Sequence, residues 1–286
     1  MVHQEDFFLR RWIAHYRQVL PDDNIYVINH GGDPRVRAIA EGVNVYDVPL
    51  DPTRSQPSRR RWQFLSDFAS SLTQFYHWVI CNDVDELIIL DPEVGDNLVN
   101  YLMASGVGRQ SPQVLIPLAV EMIHVPKLEP ELLEDGSPII GRRRIYRLNS
   151  NYCKPCMTRR RLRWGNGGHG SDYHEAKIDT NLLNFHLRFI DFDIGIKRFQ
   201  SANENRFVGK TPAQIGKMLK EKRPWASNEK TLRGLSKREP VEETIAHPTF
   251  VEAMRENGQV FGDILFMGGG RPRVSYRLPE RFNGVF

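Results

Sequence analysis

The chain has 286 residues, 40% of them hydrophobic and 26% charged, with a formal net charge of +4. That suffices for one large core or two modest ones, at a charge content ordinary for a soluble globular protein. No apolar run approaches the ~20 residues of a membrane-spanning helix, and the start, MVHQED, shows no signal peptide; the expectation is a cytoplasmic protein, with peripheral contact with the inner membrane left open.

In chain order, Phe7, Phe8, Trp12, Ile13, Tyr16, Val19 and Leu20 recur at helical spacing, and Glu5 and Asp6 suit the first turn of that helix. Pro21-Asp22-Asp23 stops it. IYVIN then reads as a short buried strand ending in His30-Gly31-Gly32-Asp33. A short helix follows over Pro34 to Glu41, closed by Gly42, and Val43 to Leu50 alternates as a strand. A polar loop with Pro52, Ser55, Pro57 and Ser58 leads into a helix with Leu65, Phe68, Ala69, Leu72, Phe75 and Tyr76 on one face. Trp78 to Asn82 reads as the next strand.

Helix and strand alternate through the first ~90 residues, which predicts a parallel sheet with helices on both faces. Ligands on such sheets bind beyond the carboxyl ends of the strands. Both Asp33 and Asp83-Val84-Asp85 lie just past predicted strand ends. Farther on, Asn97 to Ala104 reads as a helix and Gln113 to Val125 as one long strand or two short ones. Residues 126–140 read as a loop. Helices are expected at 211–222 and 248–256, and the tail after Phe266 reads as extended. The division expected is 1–205 for the main domain and 206–286 for a helical C-terminal extension with an extended tail.

Charge is unevenly placed. From Arg142 to Arg163 there are nine Lys or Arg and no Asp or Glu, and Arg59-Arg60-Arg61 is a smaller cluster. Such stretches favour phosphates, nucleic acid or a membrane surface, or form a solvated face. Three cysteines cannot make a full disulfide framework. Cys153 and Cys156 form a CxxC in a basic, polar stretch rather than at a helix start, and no second CxxC completes a zinc site.

The segment HWVICNDVDELIIL, residues 77–90, places Asp83, Asp85 and Glu86 between two apolar runs. Buried carboxylates are costly unless paired, protonated or bound to a metal. Two aspartates at i and i+2 in a turn can direct oxygens at one hard cation such as Mg²⁺ or Mn²⁺.

Several blocks, in order, resemble bacterial family 2-like glycosyltransferases of the GT-A fold. They are Glu5 with FFLRRWIAHY, IYVINHGGDP, WVICNDVDELIIL, NYCKPCMTRRRLRWGNGGHG and LLNFHLRFIDFD, together covering roughly residues 3–200. The resemblance implies a Rossmann-type mixed, mostly parallel sheet flanked by helices. It implies a nucleotide-sugar donor, a UDP-sugar foremost, and a hydroxyl acceptor such as a glycan or lipid-linked glycan, with inversion preferred. Asp83 and Asp85 would hold Mn²⁺ or Mg²⁺ on the donor diphosphate, completed by His186 or His169. Asn29 and Asp33 would contact the nucleoside, with Glu5 in the opening block on the donor side. Lys154 and one or more of Arg159–Arg163, Arg161 among them, would meet the phosphates. Glu86 would orient the loop or meet the acceptor.

An inverting enzyme needs a general base near the anomeric carbon; Glu121 is the first candidate, then Asp172 and Glu175, each with a surface or salt-bridge role as the alternative. Two features depart from the family pattern. Only Met1 to Gln4 precede Glu5, so the usual first strand is a stub or missing: either the start site lies later than the natural one, or another element fills the sheet edge. His30-Gly31-Gly32 replaces a hydroxyl-bearing pattern.

Three rival readings stand beside this one. A haloacid-dehalogenase-type phosphatase also places D-x-D after an apolar strand, but Leu87 and the position of the motif fit it poorly. A non-enzymatic nucleic-acid- or polyanion-binding protein would use residues 142–163. A glycosyltransferase acting on a polyanionic acceptor such as modified DNA combines the two.

Overall fold

The computed structural model describes residues 1–50, 57–133, 136–205, 211–212 and 224–286. It is a mixed α/β structure of seven helices and three sheets among those residues. None of its helices is long and apolar enough to cross a membrane. The expected helix at 211–222 falls almost wholly outside the described residues, as do positions 51–56 of the polar loop.

Helix α1 (Asp6–Arg17) buries Phe8, Leu9, Ile13 and Tyr16 on one stripe, with Asp6 in its first turn and Arg17 in its last, as the helix dipole favours. Strand β1 (Tyr26–His30) pairs in parallel with β2 (Asn44–Val48). Between them runs α2 (Pro34–Ile39); the Asp33 carboxylate caps it by accepting the Arg35 N–H at 2.9 Å, and Pro34 opens it. Helix α3 (Pro57–Leu72) takes up Pro57 and Ser58. Its buried face is Trp62, Leu65 and Ala69, but the helix ends before Phe75, which is 83% exposed rather than part of that face.

The next strand, β3 (Val79–Ile80), is shorter than the expected Trp78–Asn82 and pairs only with β7 (Met157–Thr158). Strand β4 (Glu86–Leu90) begins on the last carboxylate of the D-x-D-E turn, and all five of its residues are buried. Helix α4 (Leu98–Ser105) is capped by the Asn97 side chain. Strand β5 (Val114–Ile123) is a single strand of ten buried residues; only Glu121 interrupts its apolar run with a charge. It pairs with β6 (Ile145–Leu148), β7 and β9 (Lys177–Phe189), and β9 also pairs with β4.

Of the mixed, mostly parallel sheet expected, parallel pairing holds for β1–β2. The eight-stranded sheet is mixed: β5–β9 is parallel, as is β10 (Pro240–Glu243) with β13 (Ser275–Arg277), whereas its other pairs are antiparallel. The segments that join β5, β6 and β7 carry no α-helix among their described residues, whereas parallel neighbours are usually joined by a helical crossover. A small sheet joins β8 (Gly170–Ser171), β11 (Gln259–Phe261) and β12 (Ile264–Phe266).

The remaining helices are α5 (Phe192–Asn205), α6 (Pro224–Leu235) and α7 (Pro248–Glu256), the last at the expected bounds. The tail does more than extend over the surface. Its β13 lies between β6 and β10, and Leu278 and Phe282 are fully buried. Ahead of α1, Val2, 3% exposed, makes an isolated parallel bridge to Asn29.

Candidate active site

The D-x-D-E turn leaves β3 and enters β4, and its three carboxylates each meet a base from a distant segment. Asp83 accepts from Arg61 of α3 and from Lys154 Nζ at 2.9 Å. Lys154 Nζ also lies 2.6 Å from Glu86 Oε1. The Glu86 and Lys154 side chains are 0% and 2% exposed, so each depends on the other for charge balance. Asp85 accepts from Arg198 of α5 at 3.1 Å, and Arg198 donates to Glu5 at 2.6 Å.

Strand register brings the next groups in. His186 of β9 stands opposite Glu86 of β4 on one side and Glu121 of β5 on the other. Its Nδ1 lies 3.2 Å from Glu121 Oε1. Assigned from that partner, Nδ1 carries the proton and donates. Nε2 is buried with no hydrogen-bond partner, 3.9 Å from Asp85 Oδ2. Arg147 and Asn149 hold the other oxygen of Glu121. Tyr152 covers the imidazole, and Arg188 donates to its hydroxyl at 2.8 Å.

The pairings set the titration. Burial pushes Asp85 upward, but Arg198, His186 and Arg188 outweigh it and hold the carboxyl at about 2. Burial likewise opposes ionisation of Glu121, and His186 and Arg147 bring it to about 2. Burial acts against ionised Asp83 too, yet Lys154 and Arg61 keep it well below the usual range. Glu86 is raised, first by burial, with Lys154 opposing. Lys154 is raised despite its burial, because Asp83 and Glu86 flank it.

Seven of the residues singled out from the sequence thus converge: Glu5, Asp83, Asp85, Glu86, Glu121, Lys154 and His186. Others do not join the network. Arg161 is 85% exposed, 3.9 Å from Asp67, so its expected phosphate contact has no geometric support. Asp172 accepts from the Arg163 N–H at 2.9 Å at the surface, and Glu175 accepts from the Tyr173 hydroxyl. Asn29 is buried and donates to Asp47 at 2.7 Å, while Asp33 is engaged with α2. The His169 ring donates to the Asn151 carbonyl at 2.5 Å; burial, then the nearby Lys154, lower it to about 4. Its ring stands edge-on to Tyr152, with ring centroids 5.6 Å apart, and the Asp83 charge acts on its titration.

Arg61, Arg147, Arg188, Arg198 and Tyr152 are the functional candidates that sequence reasoning missed. Arg61 and Arg147 lay inside the two basic stretches, where charge counting cannot tell a buried partner from a solvated one. The 142–163 stretch is largely turned inward: Arg143 is 0% exposed and donates to Asp191 at 2.9 Å, Arg144 reaches Glu243, and Arg159 donates to the Gly106 carbonyl. Cys153 and Cys156 are free and buried, and burial pushes both thiols up, Cys153 to about 12, which leaves neither as a thiolate.

Among the described residues no three His, Cys, Asp or Glu side chains converge on a point that could hold a metal by themselves. Asp85 and His186 face each other as a pair. No family model, no curated protein and no solved structure matches this chain.

Proposed function

We propose that this chain is a metal-dependent, inverting glycosyltransferase of the GT-A kind, using a nucleotide-sugar donor and a hydroxyl acceptor. The observation that carries the reading is the row Glu121–His186–Asp85. A histidine that donates one ring N–H to a carboxylate and leaves its other nitrogen bare and buried is the arrangement that orients a metal ligand. Asp85, across 3.9 Å, supplies a second ligand. Mg²⁺ and Mn²⁺ sites often use one or two carboxylates and complete their shell with water and substrate phosphate, so the pair fits such an ion. Bound there, the ion would neutralise charge on the departing diphosphate.

The chain's own groups do the rest. Glu121 is buried and committed to Arg147 and His186, so it positions the imidazole and does not serve as the base. Lys154 is shut behind Asp83 and Glu86 and sets the turn's conformation. Arg61, at 32% side-chain exposure, and Arg198, at 16%, are the more open cations of the network and meet the phosphates. A phosphate drawing Arg61 away would release Asp83, 20% exposed, towards the same site.

The polyanion-binding reading loses support from the inward-turned bases of 142–163. Only its outer members, such as Arg160, Arg161 and Arg163, are exposed enough to serve an anionic acceptor. The test is calorimetric titration of UDP, GDP and CDP with and without Mn²⁺, on the wild type and on Asp83→Ala/Asp85→Ala. Metal-dependent binding of one nucleotide, absent in the variant, is expected. No nucleotide binding under any condition overturns the reading.

A further inference from the structure

An open cavity of about 360 Å³ lies where β6, α6 and the segment ahead of β13 meet. Arg147 lines it from β6, Lys230 and Leu235 from α6, and Arg238 from the turn after α6. Arg271 and Arg273 line it from the segment ahead of β13. Five of these side chains are basic, and no acidic residue lines the cavity. Two bonds to backbone hold the tail segment there. The Ser150 N–H donates to the Gly270 carbonyl at 3.1 Å, and the Arg238 guanidinium donates to the Arg273 carbonyl at 2.9 Å. The tail thereby delivers Arg271 and Arg273 to the wall that Arg147 shares.

The charge there is not balanced from within. Arg147 is bound to Glu121, but Lys230, Arg238, Arg271 and Arg273 pair with no carboxylate among the described residues. The nearby acids face other bases: Glu229 accepts from Arg233 at 2.9 Å, and Glu239 lies 3.8 Å from Lys127. Arg238 is lowered from its ordinary value, by burial first and then by Arg147 and Arg273. Like charges gathered in a concave site repel one another when it is empty and concentrate anions in it. Strand register joins this cavity to the candidate active site. Glu86, His186, Glu121 and Arg147 stand side by side on β4, β9, β5 and β6. Arg147 is thus two strands from His186, about 10 Å at strand spacing. Arg61 and Arg198, assigned to the donor phosphates, hold Asp83 and Asp85 at the opposite end of the row.

We propose that this cavity takes a phosphomonoester carried by the acceptor, about 10 Å from the hydroxyl that reacts; its assignment to the acceptor rests on the glycosyltransferase reading. A phosphoryl group offers three oxygens and close to two negative charges, which cations from three segments can share. A carboxylate, with two oxygens and one charge, would leave most of them repelling. Arginine suits the group, because its planar fork binds phosphate oxygens in pairs. At about 360 Å³ the cavity is at the small end of ligand sites, which suits a single phosphorylated sugar. Arg147 stands between the two halves: it lines the cavity and holds Glu121, which positions His186.

The test titrates glucose 6-phosphate, glucose and inorganic phosphate, at fixed ionic strength, into the wild type and into Arg238→Gln/Arg273→Gln. UDP, GDP and CDP with Mn²⁺ are titrated into both proteins alongside. Glucose 6-phosphate is expected to bind the wild type at least about tenfold tighter than glucose or inorganic phosphate do, and to lose at least about tenfold in the variant. The variant's Tm should be equal to or above that of the wild type, because repulsion among the bases falls. No binding of glucose 6-phosphate, or binding that the variant keeps, overturns the proposal. Inorganic phosphate binding as tightly as the sugar phosphate overturns the acceptor assignment in favour of a free-anion site. The nucleotide arm separates the two readings. Nucleotide binding to both proteins without any for glucose 6-phosphate sinks the pocket alone. Sugar-phosphate binding that the variant loses, with no nucleotide bound by either protein, sinks the transferase reading and the acceptor assignment with it.

Discussion

Tyr152 lies flat on the His186 imidazole, with ring centroids 3.7 Å apart and an interplanar angle of 23°. The ring is thereby held between a stacked face, the Glu121 carboxylate at Nδ1 and the Asp85 carboxylate beyond Nε2. None of these contacts is local in sequence; β5, β9 and the turn before β4 meet only through sheet register.

Replacing Tyr152 tests that confinement. Tyr152→Phe keeps the stack and loses the bond from Arg188, whereas Tyr152→Leu loses both. Aromatic pairing contributes about 1 kcal/mol beyond burial. Tyr152→Leu is therefore expected to weaken Mn²⁺-dependent nucleotide binding about fivefold or more, with Tyr152→Phe close to wild type. Identical affinities for the two variants would remove the stack from the account of His186.

Glu86 and Lys154 form the buried pair of the network. Removing one partner from such a pair strands the other charge and costs about 3–5 kcal/mol. Glu86→Gln and Lys154→Met are each expected to lower the urea midpoint strongly. The double variant should be less destabilised than the sum, because Asp83 keeps Arg61. Additive losses in the double-mutant cycle would show that the two side chains act separately.

Much of the N-terminal architecture was legible from periodicity, since α1, β1, α2 and β2 each have a clear apolar pattern and a capping or stopping residue. The D-x-D-E turn also stood out, because three carboxylates between buried strands need partners. Those partners were hidden. Arg198 lies 113 residues from Asp85 and Lys154 lies 71 from Asp83, and neither pairing leaves a local signal. The surroundings of Glu121 were hidden for the same reason: one carboxylate in an apolar strand offers itself as a base or as half of a salt bridge, and only the fold brings Arg147 and His186 to it. The tail was read as extended because Gly and Pro mask its single short strand, whose pairing with β6 depends on residues about 130 positions away.

Acid should destabilise the fold in two windows. Burial and then Lys154 lower His169 to about 4, and burial alone lowers His247 to about 4, against an ordinary value of 6.5. The unfolded chain takes up those protons first, so this contribution is full above pH 6.5 and is lost as pH falls through about 4. Asp85 and Glu121, both held at about 2, contribute stability above their ordinary range that is lost as pH falls towards 2. Raised Glu86 and Glu5 oppose part of the loss, because they protonate more readily when folded. Urea midpoints should drop between pH 7 and pH 4.5, and His169→Asn should flatten that drop. A variant that falls as steeply as the wild type would exclude His169 as a contributor.

Arg61 and Lys154 both bind Asp83, yet their exposures separate their roles. Lys154 is enclosed at 2% exposure, whereas Arg61 reaches the surface at 32%. The enclosed cation answers to Glu86 and belongs to stability. The open one can leave Asp83 for a phosphate and belongs to binding. Arg61→Met is therefore expected to lower Tm by only a few degrees and to weaken nucleotide binding at least tenfold, the loss of one charge-assisted contact to phosphate. Lys154→Met should show the reverse balance, with a large fall in Tm dominating any change in affinity measured well below its midpoint. If Arg61→Met leaves nucleotide affinity unchanged, the phosphates are met elsewhere, and Arg198 becomes the cation to test.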